Sequence, residues 1–120
     1  MNGYDNPLIV RTLSGRIRKY DTKPSANQAA NTIIQGTGAD ILKKALTLMR
    51  ERLQQSTSAF INLTVHDEIL VETPIQEIDN VIYIVRYSMI EAFNSIITNV
   101  PAVIDIKVLN SWDENDVYIK

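Results

Sequence analysis

The sequence contains no cysteine, a single histidine and no apolar run long enough to cross a bilayer. The absence of cysteine excludes disulfides, thiolate zinc sites and cysteine nucleophiles, and it is compatible with a reducing cytoplasm. His66 is the only histidine, so a metal site built from several histidines is excluded as well. A membrane span needs about 20 apolar residues, and the N-terminus lacks a signal-peptide pattern. We therefore expect a cytoplasmic protein with no membrane partner.

Length and charge indicate one domain with little surplus charge. The 120 residues are 45% hydrophobic and 22% charged, which fits a single domain, residues 1–120, with a modest core. The formal net charge is −2, whereas a self-sufficient nucleic-acid binder usually carries a basic surplus. Before Pro24, five Lys or Arg residues stand against two Asp residues. Any contact with phosphate is expected at this basic end.

The most informative stretch is residues 61–72, an apolar run interrupted by the histidine and two acids. Period-two alternation places Ile61 and Leu63 on one face and predicts two short strands that meet at the His-Asp-Glu sequence, a hairpin over residues 60–73. Adjacent carboxylates at the end of a rigid hairpin suit Mg²⁺, which needs only one or two carboxylates from a protein. The alternative is a solvated turn, because most exposed acids contact only water. The stretch alone leaves both interpretations open.

The elements before this stretch are predicted from turn residues and caps. An N-terminal hairpin is predicted over residues 8–20, because Gly15 supplies the positive φ of a tight turn. Ser25 and Gln28 have the spacing of a capping box and predict the start of a short helix. The helical region 31–55 follows, with a glycine-containing break over its first eight residues and a long amphipathic helix after it.

The elements after this stretch are predicted from apolar periodicity. A second long amphipathic helix is predicted over residues 76–97, and a last strand over residues 102–109. The order of elements predicts an α+β fold: one antiparallel sheet with two long helices packed on one face, plus the N-terminal hairpin.

Four short segments then indicate a family. Residues 31–41, Asn-Thr-Ile-Ile-Gln-Gly-Thr-Gly-Ala-Asp-Ile, and residues 65–68, Val-His-Asp-Glu, are similar to the N-x-P-x-Q-G-T-x-A-D-I and V-H-D-E motifs of family A DNA polymerases. Residues 12–16 resemble the T-L-x-G-R hairpin of that family, and residues 110–112 resemble its C-terminal N-W. The resemblance covers nearly the whole chain. It implies the C-terminal part of the palm subdomain of a bacterial DNA polymerase I type enzyme.

The resemblance implies two catalytic residues. Asp67 would be one of the two aspartates that bind the catalytic Mg²⁺ ions, which clamp both oxygens of an in-line phosphoryl displacement. Glu68 would support the metal site less directly.

The resemblance also implies DNA-binding residues. His66 would lie by the primer terminus, and Arg16 would contact phosphate. Asn31 and Gln35 would donate to minor-groove acceptors, which every base pair offers and which therefore suit a check of shape rather than of sequence.

The chain departs from the family pattern in four ways, of which the replacement of a proline by Ile33 is tolerable because a helix already leads into it. The second metal-binding aspartate and the nucleotide-binding helix with its Lys and Tyr are not in these 120 residues. Asn27 stands where the family has an arginine, the stretch between Gly15 and Asn31 is shorter than usual, and Ile33 replaces a proline. One aspartate cannot organise two Mg²⁺ ions. We therefore expect an isolated chain without activity.

Two hypotheses follow. In the first, the chain is the C-terminal palm fragment of a split or truncated family A DNA polymerase, for which a phage or prophage origin is plausible. The missing segment would complete the enzyme in trans, with primer-template DNA and dNTP as partners. In the second, it is a non-catalytic palm remnant that associates with DNA or forms a homodimer through exposed apolar surface. A third alternative is an unrelated α+β domain whose His-Asp-Glu sequence is only a turn.

Overall fold

The computed structural model describes residues 9–111, 113 and 115–118. The strands form two separate antiparallel hairpins, β1 with β2 and β3 with β4. The α+β class and the N-terminal hairpin predicted from the sequence are confirmed. In chain order the elements are β1 (Ile9–Arg11), β2 (Ile17–Lys19), α1 (Ala26–Ser56), β3 (Phe60–Val65), β4 (Glu68–Glu72), a 3-10 turn (Ile75–Glu77) and α2 (Ile78–Ile96).

Helix α1 begins at the predicted cap but is not interrupted. Ser25 Oγ accepts from the Gln28 backbone N–H at 3.1 Å, and the Ser25 N–H donates to Gln28 Oε1 at 3.0 Å, which completes a capping box. The helix then continues through residues 31–38 to Ser56, so the predicted break is wrong. Glycine within a helix costs only about 1 kcal/mol relative to alanine. The packing of a helix this long outweighs that penalty.

Hairpin β3–β4 departs from the predicted alternation at Asn62. Ile61 pairs with Val71, but Leu63 pairs with Leu70, so β3 contains one extra residue between these pairs. Paired residues of antiparallel strands lie on the same face, and neighbouring residues of one strand lie on opposite faces. Leu63 and Leu70 therefore lie on the face opposite Ile61 and Val71. The prediction that Ile61 and Leu63 share a face is wrong because a bulge is not visible in apolar periodicity.

The core lies between the two helices and one face of hairpin β3–β4. Met49 and Leu53 of α1 are fully buried against Val81 and Ile84 of α2. Burial of each large aliphatic side chain contributes roughly 1.5–3 kcal/mol, so this cluster fixes the hairpin on the helices. The half-buried hairpin residues that pack on the cluster are Ile61, Ile69 and Val71.

The strand predicted over residues 102–109 is not formed by the described residues. Residues 101–108 contain neither strand nor turn, and an isolated bridge joins Leu109 to Val117. A strand requires a hydrogen-bonded neighbour, and the two hairpins pair only within themselves. Leu8 of the predicted N-terminal hairpin and Trp112 lie outside the described residues.

Neither helix of the described part of the chain combines the length and the apolar character needed to cross a membrane.

Candidate functional site

The tip of hairpin β3–β4 exposes three consecutive polar side chains. Val65 pairs with Glu68, so the loop contains only His66 and Asp67, and Glu68 is the first residue of β4. All three side chains are exposed to solvent. Within the described residues, neither acid takes part in an ion pair. The two carboxylates are therefore accessible to a ligand from outside this chain.

The backbone at the tip adopts an unusual conformation. His66 has φ 55 and is the only non-glycine residue with positive φ among the described ones. A two-residue hairpin loop favours positive φ at its first position, which glycine or asparagine usually occupies. A larger side chain there costs on the order of 1 kcal/mol and persists only where the surrounding structure imposes it. Strand pairing on both sides therefore holds Asp67 at a fixed place in the turn.

The donor chemistry of the tip fits part of a metal site. Exposed carboxylates are the oxygen ligands that a hard cation such as Mg²⁺ prefers. Across residues 9–111, 113 and 115–118, no group of three His, Cys, Asp or Glu residues could hold a metal ion. Asp67 and Glu68 could therefore hold such an ion only together with ligands from outside the described residues.

A second polar cluster joins the N-terminal hairpin to α1 and is centred on Asp40. Thr12 Oγ1 donates to Asp40 Oδ2 at 2.9 Å, and Ser14 Oγ donates to the same oxygen. Arg16 Nε donates to Asp40 Oδ1 at 2.7 Å. The hydrogen bond from Ser14, supported by Thr12 and Arg16 and opposed by burial, lowers the pKa of Asp40 below its ordinary value. Asp40 is therefore a stable anion to which the hairpin is attached.

The side chain of Thr12 also lies close to the helix backbone at Gly36. A Cβ atom on Gly36 would lie 2.5 Å from Thr12 Cγ2, so only glycine allows the hairpin to lie this close to the helix. Arg16 Nη2 donates to the Gly36 carbonyl at 3.1 Å, and the Leu13 N–H donates to Thr37 Oγ1 at 3.1 Å. Residues 12–16 and residues 36–40 therefore form one interlocked unit, which we call the Asp40 cluster.

The sequence did not predict the role of Asp40, although this residue lies in the segment 31–41 that resembles a family motif. The signal in the sequence was two motifs with complementary side chains, hydroxyls and a guanidinium in one and a carboxylate in the other. Their contact spans more than 20 residues of chain, so no local pattern reveals it.

Arg16, which was predicted to contact phosphate, also forms hydrogen bonds within the chain. Its guanidinium already bonds to the Asp40 carboxylate and to the Gly36 carbonyl through Nε and Nη2. The side chain is nevertheless 51% exposed. The guanidinium is thus held in place with part of its surface facing solvent.

Asn31 and Gln35 lie one helical turn apart and are both exposed. Residues four apart share one face of a helix, so α1 presents two carboxamides on a single solvent-facing stripe. Nearby, the hydroxyls of Tyr20 and Thr32 are hydrogen-bonded, which attaches the end of β2 to the same part of α1.

The predicted site residues therefore fall into two groups. His66, Asp67 and Glu68 lie together at the tip of β3–β4, whereas Arg16, Asn31 and Gln35 lie at the N-terminal half of α1 and its hairpin. In the described part of the chain, no hydrogen bond or ion pair joins the tip to the Asp40 cluster.

The sequence of this chain is similar to those of known DNA polymerases. The sequence model of DNA polymerase family A matches residues 3–114. DNA polymerase I of Caldicellulosiruptor bescii is 38% identical over 120 residues, a match that covers 92% of this chain and 14% of that protein. DNA polymerase I of Borreliella burgdorferi is 38% identical over 123 residues, covering 93% of this chain and 13% of that protein.

A solved structure is similar in fold as well as in sequence. The polymerase domain of Pol1 from M. smegmatis, in complex with DNA primer-template and dNTP, matches with a TM-score of 0.67 and 29% identity. The match covers 75% of this chain and 18% of that chain. This chain therefore spans less than a fifth of each of these three proteins.

Proposed function

The chain belongs to DNA polymerase family A, and from this premise we propose that it forms part of a polymerase palm and contributes Asp67 to template-directed nucleotidyl transfer. The observation that carries the proposal is the tip of β3–β4. Its loop contains two residues, its acids face solvent, and its strands are packed on the two helices.

The proposed role of Asp67 is to hold Mg²⁺ through its carboxylate, together with an acid of a further polymerase segment. Bound Mg²⁺ supplies electrostatic stabilisation to the attacking and leaving oxygens of an in-line displacement. This chain supplies the position of the carboxylate. Because the tight loop and the packed strands fix Asp67 before any ligand arrives, little reorganisation is required when the reactants meet. Glu68, the first residue of β4, is proposed to support this site from the adjacent position.

The proposed DNA contacts lie on the other group of residues. Asn31 and Gln35 would donate from one stripe of α1 to the acceptors that both A·T and G·C pairs expose in the minor groove. Arg16, held by Asp40, would offer its exposed edge to a phosphate, and His66 would approach the primer terminus. Primer-template DNA and dNTP are bound by the M. smegmatis polymerase domain, and we propose them as partners of the completed enzyme here.

Completion by a further segment is part of the proposal. The described residues contain no group of three potential metal ligands, and the chain covers only 13–14% of the two relatives. We therefore expect no primer extension from the isolated chain. We expect activity once a polymerase segment with the second metal-binding acid is supplied, either in trans or within one polypeptide.

The test is a chimera in which this chain replaces the matching segment of the C. bescii DNA polymerase I. Primer extension by the chimera is expected to fall at least about a hundredfold with Asp67→Asn, because loss of even an outer partner of a metal ligand costs 10–100-fold. The matched control is Asp21→Asn, an exposed aspartate in the loop before α1. Equal extension by the Asp67→Asn and Asp21→Asn chimeras would contradict the proposed role of Asp67.

A further inference from the structure

Arg16 is fixed at both ends of its side chain. Its backbone N–H donates to Thr12 Oγ1 at 3.1 Å, and its carbonyl accepts from the Thr12 N–H at 2.9 Å. At the far end, Nε donates to Asp40 Oδ1 at 2.7 Å and Nη2 donates to the Gly36 carbonyl at 3.1 Å. A long side chain loses rotamer entropy when a ligand orders it. The contacts with Asp40 and Gly36 therefore order Arg16 before any ligand arrives.

The remaining donors of the Arg16 guanidinium form one edge. A guanidinium carries five N–H donors in a planar fork. The described residues engage one donor on Nε and one on Nη2, which leaves one on Nη2 and both on Nη1. An edge formed by the two terminal nitrogens can bind two oxygens of a phosphate at once. The side chain is 51% exposed, so a ligand can reach the group that carries these donors.

Asp40 holds the guanidinium from a largely covered position. Its side chain is only 13% exposed. The hydroxyls of Thr12 and Ser14 donate to Oδ2, whereas Oδ1 accepts from Arg16. Because both oxygens are engaged, the carboxylate cannot turn away from the guanidinium without losing hydrogen bonds. Asp40 is therefore suited to act on a ligand through Arg16 rather than by touching it.

The contact with Gly36 also relates Arg16 to the carboxamides of α1. The carbonyl that accepts from Arg16 Nη2 belongs to the residue that follows Gln35, and Asn31 lies one helical turn earlier. The guanidinium therefore has a fixed place relative to both carboxamides. Contacts with phosphate set the register and orientation of a protein on a duplex. A fixed spacing between the two kinds of donor would set that register in advance.

We propose that Asp40 is a positioning residue for primer-template DNA. It holds the Arg16 guanidinium so that its free edge meets a backbone phosphate while the carboxamides of α1 reach the minor groove, a role that rests on the proposed phosphate contact of Arg16 and is separate from the proposed metal role of Asp67.

Positioning and simple charge predict opposite effects of removing the Asp40 carboxylate. A carboxylate beside bound DNA repels its phosphates, so charge alone predicts tighter binding when this group is removed. Loss of positioning predicts weaker binding, because the DNA must then order the Arg16 side chain itself. The direction of the change therefore separates the two effects.

The first test is the affinity of the C. bescii chimera for primer-template DNA, measured by fluorescence anisotropy at constant salt. Asp40→Ala is expected to raise the dissociation constant about three- to tenfold, the cost of ordering one long side chain. Asp40→Asn, which keeps the shape and a neutral acceptor, is expected to lie between Asp40→Ala and the parent. The kcat at saturating primer-template is expected to stay unchanged in both.

Two controls accompany this measurement. Asp21→Ala removes the same charge from an exposed loop and is expected not to weaken binding. Urea denaturation of each chimera checks that it is folded under the binding conditions. Asp40→Asn preserves the test if Asp40→Ala fails to fold.

A double-mutant cycle tests whether Asp40 acts through Arg16. Arg16→Ala alone is expected to weaken primer-template binding and to lower the slope of log affinity against log salt by about 0.9, the value for one lost phosphate contact. In the Arg16→Ala background, Asp40→Ala is expected to cause no further weakening, because no guanidinium remains to be positioned.

Three outcomes would overturn the proposal, and they separate it from the function on which it rests. Weaker binding by Arg16→Ala beside equal or tighter binding by Asp40→Ala contradicts positioning and leaves the phosphate contact in place. An equal loss from Asp40→Ala in both backgrounds means that Asp40 does not act through Arg16. Unchanged affinity and salt slope in Arg16→Ala contradict the phosphate contact itself, and the positioning role with it.

Discussion

The two hairpins of this chain use their polar residues in opposite ways. In β1–β2, the hydroxyls and the guanidinium near the turn bond to Asp40 of α1, so the hairpin is attached to the helix by polar contacts. In β3–β4, apolar side chains attach the strands to the helices, and the acids at the tip remain exposed. An acid with internal partners stabilises the fold, whereas an acid held rigidly with no ion pair is available to a ligand. Asp40 and Asp67 illustrate this difference.

The largest effect expected from the difference between Asp40 and Asp67 is on primer extension. Asp67→Asn is expected to lower primer extension of the polymerase chimera at least about a hundredfold while changing the free energy of unfolding by less than about 0.5 kcal/mol, because the side chain is exposed. Primer-extension rates and urea denaturation measure the two effects. A large loss of stability in this variant would mean that the tip, like the Asp40 cluster, is structural.

The packing of β1–β2 on α1 is tested by two glycines of one helix. Gly36→Ala is expected to destabilise the chain by about 1–3 kcal/mol, because the added methyl group overlaps Thr12. Gly38→Ala is expected to stabilise it by about 0.5–1 kcal/mol, because nothing lies within 4 Å of the added carbon and alanine favours the helix. Urea denaturation of both variants measures the difference. Equal effects of the same sign would contradict the close approach at Gly36.

Removing the charge of Asp40 is expected to have a smaller effect. Asp40→Asn should destabilise the chain by about 1 kcal/mol, since it weakens hydrogen bonds that the carboxylate accepts and an ion pair that is partly exposed. Thermal or urea unfolding measures the loss. Asp21→Asn, with the same chemical change on an exposed loop, is expected to leave stability unchanged and serves as the control.

The smallest expected effect is a pH dependence of the free energy of unfolding. Because the pKa of Asp40 is lowered in the folded chain, mainly by the hydrogen bond from Ser14, the unfolded chain binds a proton more readily. The contribution of the Asp40 carboxylate to folding stability is therefore fully present above about pH 4. It is lost as the pH falls through the lowered pKa.

Urea denaturation of the parent and the Asp40→Asn variant between about pH 6 and pH 3 isolates this contribution. The stability difference between the two proteins is expected to narrow at the acid end of that range. A difference that does not change with pH would contradict the hydrogen-bonded carboxylate of Asp40.

Local signals in the sequence predicted several elements well. Gly15 marks the turn of the first hairpin and has φ 93 in the structure, and Ser25 with Gln28 forms the predicted capping box. The apolar periodicity of residues 76–97 corresponds to the 3-10 turn and helix α2. Each of these features depends on residues within one or two turns of chain, so the sequence carries the whole signal.

Other features depend on contacts between distant residues and were missed or predicted wrongly. Helix α1 continues through two glycines that suggested a break, and the bulge at Asn62 moves Leu63 to the other face of its hairpin. The apolar alternation of residues 102–109 predicted a strand, but alternation specifies only an extended backbone. A ladder also needs a neighbour, which the described residues do not supply.

The sequence by itself determined the α+β class, the family and the position of two acids between two strands, because periodicity, caps and motifs are local properties. Only the tertiary structure decided which acids are available. It attached Asp40 to a hairpin 24 or more residues away in the chain and left Asp67 exposed on a two-residue loop. The physical reason is that whether a charged side chain is satisfied depends on the groups that folding brings beside it, and those groups come from distant parts of the chain.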